Sequence, residues 1–180
     1  SARISTTWDI LAISTPPQLT VDWYLTTPSG EDHAFEGIAV DKTSSRVYIC
    51  DSQSDRVYIY PNNGSNTPIG SFGDASWKTP MLGPYGIDVS DDDLVYIAVA
   101  KSLDAEGNPL PTPEHSLWRW DGSQLSKLCN LPGFPRGLHV SGVGIGTVVY
   151  VSGSSGNVIR CVPIADQQFS AQILYSSGVY

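Results

Sequence analysis

Three side chains able to hold or polarise a ligand stand at matched places in this chain. Glu36, Tyr85 and Arg136 each directly precede a glycine, and those glycines, Gly37, Gly86 and Gly137, are spaced by 49 and 51 residues. A carboxylate, a phenol and a guanidinium gathered at one point would supply donors, acceptors and an aromatic face. Asp51 and Lys101 close the apolar runs that follow the first two glycines, where the third copy has Gly153. Together these residues make a mixed-charge, partly aromatic rim suited to binding. Covalent catalysis has less to work with: no Gly-x-Ser-x-Gly elbow is present, no cysteine is spaced to meet a histidine, and His33, His115 and His139 are far apart. His139, inside a glycine-led strand, reads as structural. Asp91-Asp92-Asp93 reads as a solvated turn on the face opposite the rim. Asp51-Ser52-Gln53-Ser54-Asp55 spaces oxygens like the start of a calcium loop but lacks the following glycine and the distal glutamate. Turn bonds from side chain to backbone account for it better.

The elements that must position these residues are short strands. Gly37–Asp41, Val47–Cys50 and Val57–Tyr60 are apolar, rich in Val, Ile and Tyr, and separated by tight turns. The pattern recurs at Gly86–Val89 with Leu94–Val99, and at Gly137–Val140 with Thr147–Val151. Repetition of short strands at a period near ~45 residues is the signature of propeller blades. The expected fold is therefore all-β, with blades of four antiparallel strands: three full blades over 35–84, 85–135 and 136–180, plus two strands of another over 1–34. No stretch of ten residues shows a helical period, so helix content is expected near zero. Gly142, Gly144 and Gly146 sit between strands, which favours a wide hairpin turn over a nucleotide loop. Lys101–Ser116, with three prolines, reads as a long loop able to fold over the rim. Trp77 is expected to cover a seam between blades.

Composition narrows the partners. Ten basic against eighteen acidic residues give a net charge of −8, and the basic residues are scattered. Phosphate neutralisation needs clustered Lys and Arg, so nucleic acid and anionic membranes are excluded as expected partners. No run approaches the ~18 apolar residues of a membrane span. A neutral polymer such as a glycan suits the charge better. Cys50, Cys129 and Cys161 match no zinc spacing and allow one disulfide at most. Asn63-Gly64-Ser65 is a glycosylation sequon in an expected turn. The chain opens with neither Met nor a charged-then-apolar leader, and is read as beginning at a processing boundary.

The copies resemble NHL-type repeats, the units of six-bladed propellers. The resemblance rests on Glu36–Asp41, Val47–Ser52 and Arg56–Tyr60, and extends to Pro84–Val89 and Pro135–Val140. It implies blades that bury both faces against their neighbours, with the glycines letting the chain approach a crowded axis. It implies little about activity, because such propellers serve as binding platforms, enzymes and structural modules. Glu36-Gly37 also resembles the Glu-Gly of calcium-dependent propellers that hydrolyse lactones or phosphotriesters. Those enzymes need asparagines where this chain has Tyr85 and Arg136.

An arc of three and a half blades would expose apolar faces at both ends. Such an arc is expected either to be part of a longer chain or to close by packing against copies of itself. The leading expectation is a non-enzymatic structural or interaction module, secreted or at the cell surface, with a protein or glycan partner and no required cofactor. The alternatives are a fragment of a calcium-dependent, lactonase-like hydrolase, and a self-assembling extracellular filament subunit.

Overall fold

The computed structural model describes residues 33–41, 46–73, 83–104, 108–165 and 167–176. Twelve strands form three four-stranded antiparallel sheets, each a meander with strands in chain order. The first sheet holds β1 (Phe35–Val40), β2 (Arg46–Asp51), β3 (Arg56–Pro61) and β4 (Gly70–Phe72). The second holds β5 (Pro84–Val89), β6 (Val95–Leu103), β7 (Pro109–Trp120) and β8 (Leu125–Asn130). The third holds β9 (Pro135–Ser141), β10 (Val148–Gly153), β11 (Asn157–Ala165) and β12 (Gln168–Ser176). The expected half-blade at 1–34, except its last two residues, and Trp77 lie outside the described residues.

Stacking of the sheets explains the continuous apolar runs. Along β6, Val95, Ile97 and Val99 face the first sheet while Tyr96 and Ala98 face the third, and all five are buried. A strand buried on both sides has no polar face, so alternation disappears. The first seam joins Tyr48, Cys50 and Val57 to Ile97, Trp118 and Trp120. Within it the rings of Phe72 and Trp120 stack at 4.3 Å and 11°. The second seam joins Tyr96, Leu117 and Leu128 to Val149, Ile159, Cys161 and Phe169. There the Cys161 thiol hydrogen-bonds to Cys129, whereas Cys50 is buried in the first seam.

The turns follow ordinary left-handed chemistry. Asp55 (φ 55°) and Asp93 (φ 61°) close the second turn of the first sheet and the first turn of the second, a conformation that aspartate tolerates better than most residues; the Asp55 carboxylate accepts from the Gly83 amide, just before β5, at 2.7 Å. Gly142-Val143-Gly144-Ile145-Gly146 forms a wide turn with one 3₁₀ turn, the sole helical element among the described residues.

One expectation fails in an informative way. Lys101–Ser116 is not a loop: β6 continues to Leu103, β7 begins at Pro109, and the two pair as a ribbon projecting beyond the sheet. Pro109, Pro111 and Pro113 suggested a loop because proline cannot donate to a ladder. In a two-stranded ribbon one side of each strand has no ladder partner, and prolines spaced by two are tolerated along that edge.

Both end sheets expose apolar side chains, but not over their whole faces. On the outer face of the first sheet, Val47, Ile49, Tyr58 and Tyr60 are buried, whereas Phe35, Ile38 and Val40 of β1 and Ile69 beside β4 are exposed. In the third sheet, Tyr150 of β10, Ile164 of β11 and Ile173, Leu174 and Tyr175 of β12 are exposed.

Candidate functional site

The glycine-led strands β1, β5 and β9 lie side by side, and close backbone approach sets their spacing. A Cβ at Gly37 would collide with the Tyr85 carbonyl oxygen; one at Gly86 would lie 3.0 Å from the Arg136 carbonyl oxygen. Only glycine permits this approach without displacement. Each step therefore sets one glycine against the backbone of the residue before the next.

Tyr85 and Arg136 do meet. The Arg136 guanidinium lies 5.8 Å from the centre of the Tyr85 ring and 4.8 Å from that of Phe134. Tyr85 and Phe134 pack edge to face at 4.9 Å, and His115 reaches Phe134 at 5.4 Å. Cation–π contact holds the guanidinium over the rings while leaving its N–H groups directed outward. Beside His115 opens a shallow recess of about 310 Å³, lined by Pro113, Glu114, His115, Lys127, Asn130 and Leu131. Burial pushes the His115 imidazole below its ordinary pKa, and its Nδ1 is buried without a hydrogen-bond partner. A neutral imidazole is thus held against the recess wall. Phe134 and His115 went unrecognised in the sequence. The only hint of Phe134 was its place two residues before Arg136, and His115 sat inside the segment read as a loop.

The other rim candidates are placed differently. Glu36 is exposed and accepts a hydrogen bond from Ser52 Oγ at 3.3 Å; among the described residues no ion pair joins it to Arg136. Lys101 is half-buried in the ribbon, opposite Glu114. Asp51 is fully buried and belongs to the fold's own framework. His33 Nδ1 lies 2.5 Å from its Oδ2, Ser54 Oγ donates to the same oxygen at 2.6 Å, and the amides of Ala34, Gln53 and Ser54 donate to Oδ1. Burial alone raises the Asp51 pKa, but the bonds from His33, Ser54 and Ala34 outweigh it and hold the carboxyl below its ordinary range. Asn63 lies in an exposed turn, its Oδ1 accepting from the Ser65 amide at 3.0 Å. His139 is exposed, and with the Val140 amide it binds Asp88 Oδ2 across the second seam. Asp92 bridges Ser90 and the Gly144 amide, linking two turns.

This axial arrangement does not fit a calcium ion. Calcium takes six to eight oxygen ligands, and a guanidinium offers none. Arg136 and Phe134, which stand in this cluster with Tyr85, bring no carboxylate or amide side chain to it. Among the described residues no group of three His, Cys, Asp or Glu side chains is placed to share a metal.

Comparison with family models finds no match, and comparison with curated proteins finds none either. Solved structures do match in fold. A gluconolactonase from Xanthomonas campestris superposes with a TM-score of 0.57 at 21% identity, over 79% of this chain and 49% of its own. A chain of a nidogen/laminin complex gives 0.53 at 18% identity, over 82% and 50%. The hydrazine synthase of Kuenenia stuttgartiensis gives 0.52 at 18%, over 78% and 37%. The class is thereby defined: the chain is a segment of a β-propeller, with three four-stranded blades described. It spans about half the length of the first two of these structures.

Proposed function

We propose that this propeller segment is a non-catalytic interaction module, secreted or displayed at the cell surface, that binds a neutral glycan. The observation that supports this is the Tyr85–Phe134–Arg136 cluster beside the His115 recess. Flat ring faces accept the C–H faces of sugar rings, while a fixed guanidinium and a neutral imidazole satisfy hydroxyls. Net charge of −8 and scattered basic residues favour an uncharged ligand. A protein partner is the second reading, supported by a fold relative found in a nidogen/laminin complex. The NHL-type repeat character belongs to the same proposal, resting on the glycine-led strands.

Titration with neutral oligosaccharides, followed by amide chemical shifts, tests the reading. Saturable shifts centred on Tyr85, Phe134 and His115 are expected, with Arg136→Ala weakening binding about tenfold, or about 1.4 kcal/mol. Calcium-dependent lactone turnover, or shifts absent from this cluster, would overturn it.

A further inference from the structure

The two seams are built from equivalent strand pairs but are filled differently. Val149-Tyr150-Val151 of β10 repeats Val95-Tyr96-Ile97 of β6. In the second sheet, Trp120 stands opposite Val95 and Trp118 opposite Ile97. The same register in the third sheet puts Cys161 opposite Val149 and Ile159 opposite Val151. Two indoles therefore fill the first seam, where Trp120 packs on Phe72 and Tyr48, and a smaller pair enters the second. The opposing wall changes too. Tyr48 pairs with Ile59 in the first sheet, whereas its counterpart Tyr96 pairs with Arg119 in the second.

Interiors are close-packed, so volume that no neighbour takes up remains as space. A cavity of about 380 Å³ opens at the end of the second seam that carries the β5–β6 and β9–β10 turns. That is the opposite end of β7 from the His115 recess. Tyr96 and Phe169, both buried, line it, with Arg119, Ile145, Pro163 and Gln167 around them. Ile145 is 98% exposed at the tip of the glycine turn, which the Gly144 amide ties to Asp92. A side chain so exposed gains burial when an apolar body lies against it. Among the described residues that line the cavity, Arg119 alone is charged. Two carboxylates stand nearby, and turn bonds occupy both. Asp92 accepts from Ser90 Oγ and the Gly144 amide, and Asp121 from Ser123 and the Gln124 amide. Among the described residues no ion pair holds Arg119. Burial raises the Tyr96 pKa, so the phenol beside the guanidinium stays protonated.

We propose that this cavity binds a small amphipathic carboxylate, its carboxyl on Arg119 and the Tyr96 phenol and its apolar body between Phe169 and Ile145. Cavities of this size suit small molecules, and a guanidinium takes a carboxylate through paired hydrogen bonds. One guanidinium among apolar walls matches one negative charge on an apolar body. The site lies apart from the Tyr85–Phe134 cluster, so it stands whether or not a glycan binds there.

Titration of the full chain with phenylacetate, read by amide chemical shifts, tests the proposal against the uncharged phenylacetamide. Saturable shifts are expected at Tyr96, Gly144, Ile145 and Phe169, with the acid bound about tenfold more tightly than the amide. Arg119→Gln should erase that difference. Ile145→Ser, at a position the fold leaves in solvent, should weaken both ligands alike. The comparison of acid with amide uses the unaltered chain, so it decides the matter even where Arg119→Gln disturbs folding. Shifts centred on Tyr85 and Phe134, equal binding of acid and amide, indifference to Ile145→Ser, or no saturation by phenylacetate would each overturn the proposal.

Discussion

Asp51 shows how a residue suited to a binding site can be absorbed by structure. Its carboxylate collects five polar neighbours and is fully buried, so a neutral replacement leaves inward-pointing donors unmet. Asp51→Asn is expected to cost about 3 kcal/mol in urea unfolding, since hydrogen bonds to a buried charge outweigh neutral ones. The pH dependence has a definite sign. Because the folded carboxyl titrates below its unfolded range, its contribution is complete above the unfolded pKa and is lost as pH falls through the folded one. The wild-type midpoint should therefore drop on acidification below about pH 4, and Asp51→Asn should flatten that drop. An unchanged slope in the variant would show that other carboxyls carry the effect. In the sequence Asp51 is marked only by its place after a strand, and nothing in the residue string announces His33 as its neighbour. Glu36, Tyr85 and Arg136 were legible because the repeat numbered them, whereas Phe134 and His115 came from packing that no spacing rule expresses.

At the scale of elements, the strands were legible because blade packing writes continuous apolar runs between aspartate- and glycine-rich turns. The ribbon of β6 and β7 was not, because three prolines are a strong local signal and edge position is a tertiary fact. Those prolines have a use consistent with their spacing. A projecting ribbon has an open edge, and such edges recruit other strands. Removing every second donor along 109–113 blunts it. Replacing Pro109, Pro111 and Pro113 with threonine should leave the blades intact by circular dichroism but promote aggregation, read by light scattering. No added scattering would mean that the ribbon's charge and twist protect it unaided.

On the scale of the whole molecule, the three described sheets stand in a row. The middle sheet touches both neighbours, and the end sheets touch the middle one. Period, strand composition and glycine spacing were enough to read that row from the sequence; how its ends are covered depends on shapes that only the folded backbone displays. The doubly buried run of β6 therefore acts as a clock. In architectures whose contacts are only between neighbours, opening starts at the ends and reaches the centre last. Amide deuterium exchange should be slowest at Val95–Val99, faster in β2 and β10, and fastest in the ribbon beyond Lys101. Were all three sheets to exchange at one rate, the blades would share a single opening event. A graded order would mean that a partner gripping either end could slow exchange there while the centre keeps its own time.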